Sequence, residues 1–152
     1  MAAASATGHA SAVLIGARAV LIRGPSGSGK SRLALGLIEA ARAGALPFAR
    51  LVGDDRVHLE SANGRLLVRA ADALAGLIEV RGAGVLRLPY EPSAVVGLVA
   101  DLQSGDAMRL PDARQRHIDI EGILIPRLAI AAGSIPLLLV MAHLNSPADA
   151  WI

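Results

Sequence analysis

The chain has 152 residues, enough for one domain, and 53% of them are hydrophobic while Trp, Tyr and Phe occur once each, so its core must be aliphatic. A net charge of +2, with no basic run and no interleaved aromatics, argues against a nucleic-acid partner. The absence of Cys excludes disulfides and thiolate metal sites, and no apolar stretch reaches the length of a membrane span.

Residues 1–6 are Ala-rich, and no basic residue precedes the first apolar stretch, so a signal peptide is not expected and the cytoplasm is the expected location. Residues 12–15 and 19–23 read as short strands around a turn at Gly16 and Ala17. Residues 24–29 read as a loop. Residues 30–42 then place Leu33, Ala34, Leu37, Ile38 and Ala41 at helical spacing, and Gly44 stops that helix. Residues 50–52 form a strand running into Gly53-Asp54-Asp55. Strands at 57–60 and 66–70 flank Asn63-Gly64, a strong hairpin signal that argues against a purely parallel sheet. Residues 77–80 are apolar and run into "RGAG". Residues 95–102 read as a strand, 103–114 as a polar mobile loop, and 118–125 as one or two strands. Ser134 can cap a last helix that carries Pro136 in its first turn and ends near Asn145. No internal repeat interrupts this order, and residues 1–152 read as a single domain.

Gly24-Pro25-Ser26-Gly27-Ser28-Gly29-Lys30-Ser31 fits the phosphate-loop pattern G-x-x-x-x-G-K-[ST] in full, between a strand and a helix. The glycines let backbone N–H groups turn toward phosphate oxygens, and the helix start adds its positive dipole end. Lys30 is placed for the outer phosphates and Ser31 for a magnesium ion. A nucleoside triphosphate site follows; the loop does not decide between ATP and GTP.

Phosphoryl transfer also needs a carboxylate near the metal and a base for the accepting hydroxyl. The adjacent Asp54 and Asp55 are candidates for both, though Asp is also common in turns. Taken in order, "GPSGSGKS", "LVGDDRV" and "LIEVRGAGVL" resemble the catalytic domain of HPr kinase/phosphorylase. That family phosphorylates a serine of HPr, the small phosphocarrier of the bacterial sugar phosphotransferase system, with ATP and Mg²⁺. It also reverses the reaction with inorganic phosphate to give pyrophosphate. The resemblance implies an α/β fold: a P-loop core with a mixed, partly antiparallel sheet, akin to phosphoenolpyruvate carboxykinase. It makes His9, Lys30, Asp55 and Arg109 catalytic, with Asp55 taking the proton from the substrate serine and Arg109 reaching the transferring phosphoryl group from its loop. Ser31 and Glu79 become metal ligands, with Asp54 beside them. Arg81, Gly82 and Gly84 belong to a functional loop. The family is hexameric, so a homo-oligomer is implied.

Two departures stand out. The chain resembles a short form without the family's additional N-terminal domain, and its target is then an HPr relative. The family's basic loop before the last helix, tied to dephosphorylation, is replaced by "PRLAIAAGSIP", in which residues 128–135 carry no charge. Only Arg127 remains to offer one, so phosphorolysis is expected to be weak. Two rival readings stay open: a small-molecule P-loop kinase, and an ATP-dependent switch that binds a partner without transfer.

Overall fold

The computed structural model describes residues 5–152; residues 1–4 of the Ala-rich start lie outside them. In order come β1 (Ser5–Gly8), β2 (Ala10–Ile15), β3 (Arg18–Arg23), α1 (Lys30–Arg42), β4 (Ala49–Gly53), β5 (Val57–Ala62) and β6 (Arg65–Ala70). They are followed by β7 (Leu77–Val80), β8 (Gly84–Arg87), β9 (Ala94–Leu102), β10 (His117–Ile120), β11 (Ile123–Ile130) and α2 (Pro136–Asn145). No helix among the described residues is long and apolar enough to cross a membrane.

Nine strands form one sheet in the order β1-β5-β6-β9-β3-β2-β4, with β11 added to β9 and β10 to β11. β9 runs parallel to β3 and to β11, and the other pairings are antiparallel, so the mixed sheet expected from the sequence is found. One edge of β9 takes β3. The other edge is shared: its first residues pair with β6 and its last four with β11.

Because strand side chains alternate between faces, β2 and β3 feed two apolar layers. Val13, Ile15, Val20 and Ile22 pack with Leu33, Leu37 and Val140 under the helices. Ala12, Ala19 and Leu21 pack with Val57, Leu66 and Val68 on the other face. Gly97 is the extra residue of a bulge between Ala19↔Val96 and Val20↔Leu98. A Cβ there would stand 2.7 Å from that of Arg18, so a side chain does not fit.

The helix at 30–42 has the expected bounds, and Gly44 closes it in the left-handed conformation, φ 85°. One expectation is corrected, and three stretches of strand were not foreseen. Ser134 does not cap α2: its N–H bonds to Ala131 at 3.2 Å, and Ile135 occupies the cap position without a side-chain bond. The cause is Pro136, which takes the first helical position and holds its predecessor extended, shifting the start by one residue. Residues 128–130, in the segment that stands where the family has its basic loop, are the end of β11, drawn straight by their parallel partner β9. β1 and β8 also were not foreseen; each is four residues long and depends on a neighbouring strand for its hydrogen bonds.

Candidate active site

The strand pairings bring the candidate residues to one end of the sheet. Arg23, the last residue of β3, lies opposite Ala10 of β2 and Asp101 of β9. Gly53, the last of β4, lies opposite Ala12, and Val57, the first of β5, opposite Gly8. The phosphate loop, His9, Asp54-Asp55 and the end of β9 therefore share that end.

The loop turns tightly against β9. A Cβ on Gly24 would lie 2.6 Å from Ser28 Oγ and 3.0 Å from Leu102 Cβ, so this position must be glycine. Ser28 N–H closes the loop onto Pro25 at 3.0 Å. Gly29 precedes α1 at φ 98° without a side-chain cap, which leaves the first N–H groups of the helix for an outside acceptor. Lys30 Nζ reaches back to the carbonyls of Gly24, 3.0 Å, and Pro25, 3.1 Å, and so sits over the loop. The enclosed Ser28 hydroxyl has no hydrogen-bond partner among the described residues. An uncapped helix start, an unused hydroxyl and an ammonium around one glycine turn form a cradle suited to phosphate oxygens.

Asp54 is the hub of the site. It is only 4% exposed. Its carboxylate accepts the Ser11 hydroxyl at 2.6 Å, the Ser31 hydroxyl at 2.7 and 2.8 Å, and the Glu79 N–H at 3.1 Å. It thus ties together β2, α1 and β7. Hydroxyl and carboxylate are the hard oxygen donors that Mg²⁺ takes, and Mg²⁺ needs only one or two carboxylates besides phosphate and water. Ser31 and Asp54 therefore fit a magnesium ion at the start of α1, with Glu79 joined to Asp54 through its backbone N–H and its side chain exposed.

Asp55 has the opposite character. It is exposed, and its φ of 66° is uncommon outside glycine, although Asp tolerates it. Its N–H points to Ser11 Oγ at 3.4 Å, and Arg56 N–H bonds to Asp54 O at 2.7 Å. This turn sends two neighbouring carboxylates in different directions: one is bonded on all sides, and the other has no partner among the described residues. Arg81, Gly82 and Gly84 lie in the exposed turn of the β7–β8 hairpin, with Gly82 at φ 90° and Gly84 at φ 124°. The Glu79–Asp54 bond docks that hairpin onto the site.

His9 and Arg109 are exposed, and neither makes a hydrogen bond among the described residues. The loop carrying Arg109 is held by its own contacts. Ser104 N–H bonds to Ile130 O at 2.9 Å and Arg127 N–H to Arg116 O at 2.7 Å, so β11 pins both ends. The Arg127 guanidinium, 11% exposed, spans the gap: Nε bonds to Asp101 at 2.6 Å, Nη1 to Asp106 at 2.8 Å, and Nη2 to Ser104 and Asp106 at 3.0 Å. Arg127 is thus consumed by carboxylates and is not a spare charge for phosphate. Burial pushes the Asp101 carboxyl up, but the hydrogen bonds of Arg23 and Arg127 and their charges outweigh it and hold Asp101 below its ordinary range. The Arg127 hydrogen bond, then that of Ser104, holds Asp106 well below the same range.

Ser11, Asp101 and Asp106 were not singled out by the sequence, and Arg127 was singled out only as a charge for phosphate. Asp101 had a visible signal, an acid closing the apolar run "VVGLVAD". Ser11 had none, because its partner lies 43 residues away.

The family model for the HPr Serine kinase C-terminal domain matches residues 1–91. An HPr kinase/phosphorylase from Clostridium perfringens is 36% identical over 126 residues, covering 73% of this chain and 37% of that protein. One from Streptococcus thermophilus is 34% identical over 122 residues, with the same shares. The chain thus spans little more than a third of the length of these relatives. The structure of the Hpr(Ser) kinase/phosphatase from Coxiella burnetii superposes with a TM-score of 0.72 at 28% identity, covering 91% of this chain and 94% of that one. The phosphate loop, the acidic pair and the hairpin after Glu79 all lie within the matched residues 1–91, and the chain belongs to the HPr Serine kinase C-terminal domain family.

Proposed function

We propose that the chain is an ATP-dependent protein-serine kinase acting on an HPr-type phosphocarrier protein, in the cytoplasm and as a homo-oligomer. The observation that supports this most is the division of labour between Asp54, bonded to Ser31, and the exposed Asp55, which has no side-chain partner among the described residues. The free backbone N–H groups of the phosphate loop and of the start of α1 bind the phosphates, and Lys30 places a point charge on the outer ones. Ser31, Asp54 and Glu79 hold Mg²⁺, which supplies positive charge to the phosphate oxygens when bound. Asp55 accepts the proton of the partner's serine as its Oγ–P bond forms. The bond from that phosphorus to the ADP oxygen breaks, and ADP leaves with the electron pair. Arg109 stabilises charge on the transferring group, and His9 adds a hydrogen-bonding group at the same sheet end.

The test is incubation with γ-labelled ATP, Mg²⁺ and an HPr-type protein, with the label located by mass spectrometry. Phosphoserine on the protein supports the reading. Label in a small molecule supports the small-molecule kinase instead, and ATP bound without transfer supports the switch.

A further inference from the structure

The Arg109 loop departs from the same strand end that supports the phosphate loop. Arg23 immediately precedes Gly24, and its Nε and Nη2 bond to the two oxygens of Asp101 at 2.7 and 2.8 Å. The next residue, Leu102, fills the space that a Cβ on Gly24 would need. Asp101 also accepts Arg127, and Arg127 reaches on to Ser104 and both oxygens of Asp106. Gln115, near the far end of the loop, donates its side-chain amide to Asp106 O. A line of alternating charges, Arg23–Asp101–Arg127–Asp106, therefore runs from the residue before the phosphate loop to the residue three before Arg109.

This line is not needed to fill the core. Asp106 is half-exposed, and the backbone bonds at Ser104 and Arg116 already attach the loop ends to β11. What the Arg127–Asp106 contact adds is a fixed path for the first turn of the loop. A planar guanidinium bonded to both oxygens of a carboxylate sets orientation as well as distance, which a lysine does not.

Resting on the reading of Arg109 given above, we infer that Asp106 and Arg127 are positioning residues for phosphoryl transfer: their ion pair fixes the loop so that Arg109 faces the phosphate loop. In this role the ion pair acts through Arg109 alone. Its loss leaves ATP binding at the phosphate loop intact and lowers the rate of transfer, because a charge held a little out of place loses much of its effect on the transition state.

The experiment is a double-mutant cycle on transfer from ATP to an HPr-type protein, using Asp106→Ala, Arg109→Ala and the double variant. Asp106 is on the surface, so its removal does not threaten folding, and circular dichroism checks this. Arg109→Ala is expected to lower kcat about a hundredfold and Asp106→Ala about tenfold, both with the KM for ATP unchanged. The double variant is expected to match Arg109→Ala alone, since a residue acting only through Arg109 has nothing left to position. Arg127→Lys should resemble Asp106→Ala, and limited trypsin digestion should cut the loop at Arg109, Arg114 or Arg116 faster in Asp106→Ala than in the wild type. If Arg109→Ala is impaired while Asp106→Ala transfers at the wild-type rate, or if the two losses multiply in the double variant, the positioning role is overturned and the kinase reading stands. If Arg109→Ala transfers normally, the assigned role of Arg109 fails, and the positioning role fails with it.

Discussion

Both carboxylate oxygens of Asp54 lie on the hydroxyl of Ser31, at 2.7 and 2.8 Å. Asp54 serves two further donors, Ser11 and the Glu79 N–H, and it is buried. Asparagine has one acceptor oxygen where aspartate has two, and its amide nitrogen would face a donor. Asp54→Asn should therefore raise the Mg²⁺ concentration needed for half-maximal activity about tenfold and lower stability by about 1–3 kcal/mol. Magnesium titration of activity together with urea unfolding checks both. An unchanged magnesium requirement would take Asp54 out of the metal site.

Ser11 is fully buried, and its hydroxyl donates to Asp54 at 2.6 Å. Ser11→Ala leaves Asp54 short of one donor in a dry setting. The expected cost is about 1–3 kcal/mol in urea unfolding, with ATP binding at the phosphate loop retained. A variant as stable as the wild type would show that Ser31 and Glu79 alone satisfy the carboxylate.

Acid should weaken the fold in two steps. Burial pushes the His143 imidazole below its usual value of 6.5. The folded chain therefore binds fewer protons there than the unfolded chain, and stability declines as the pH drops through that value. Asp101 and Asp106 are both held below the ordinary 3.8, so the stability they contribute is complete above that pH and is lost as the pH falls below it. Denaturant titrations from pH 7 to pH 3 should show both declines. His143→Gln should remove the first, and Asp106→Asn should reduce the second without touching the first.

Much of this was legible in the sequence where the signal is local. The phosphate loop, α1 and the Asn63-Gly64 hairpin are set by neighbouring residues, and they appear where expected. The candidate residues Lys30, Ser31, Asp54 and Glu79 were also visible; the structure bonds Ser31 and the Glu79 N–H to the Asp54 carboxylate and holds Lys30 over the phosphate loop. What was not legible depends on distant partners. Ser11 looks like any small strand residue until β4 delivers Asp54 beside it. Residues 128–130 were noted only as uncharged, because their strand character comes from β9. Residues 103–114 are a loop as expected, but the Arg127 bonds to Ser104 and Asp106 were not legible because Arg127 lies in β11.

The pairing of Arg127 bears on the direction of catalysis. Arg127 was the remaining charge available to inorganic phosphate, and it is already paired with Asp101 and Asp106. A dianion entering the site must exchange its hydration for fixed donors, and residues 128–135 bring no charge. Release of pyrophosphate from a serine-phosphorylated partner should be slow relative to the kinase reaction and should saturate poorly as phosphate is raised through the millimolar range. Tight saturation at the forward rate would place the phosphate elsewhere, most simply on the loop from Gly24 to Ser31.

The most direct test of the account is single-turnover transfer from γ-labelled ATP to the serine of an HPr-type protein, comparing wild type, Lys30→Ala and Asp55→Asn. The account predicts phosphoserine with the wild type and a loss of about two orders of magnitude or more with Lys30→Ala, which lacks the charge over the loop. It predicts wild-type ATP affinity but strongly depressed transfer with Asp55→Asn, whose amide keeps the shape and cannot accept a proton. Transfer by Asp55→Asn at the wild-type rate, or no phosphoserine with the wild type, would contradict it.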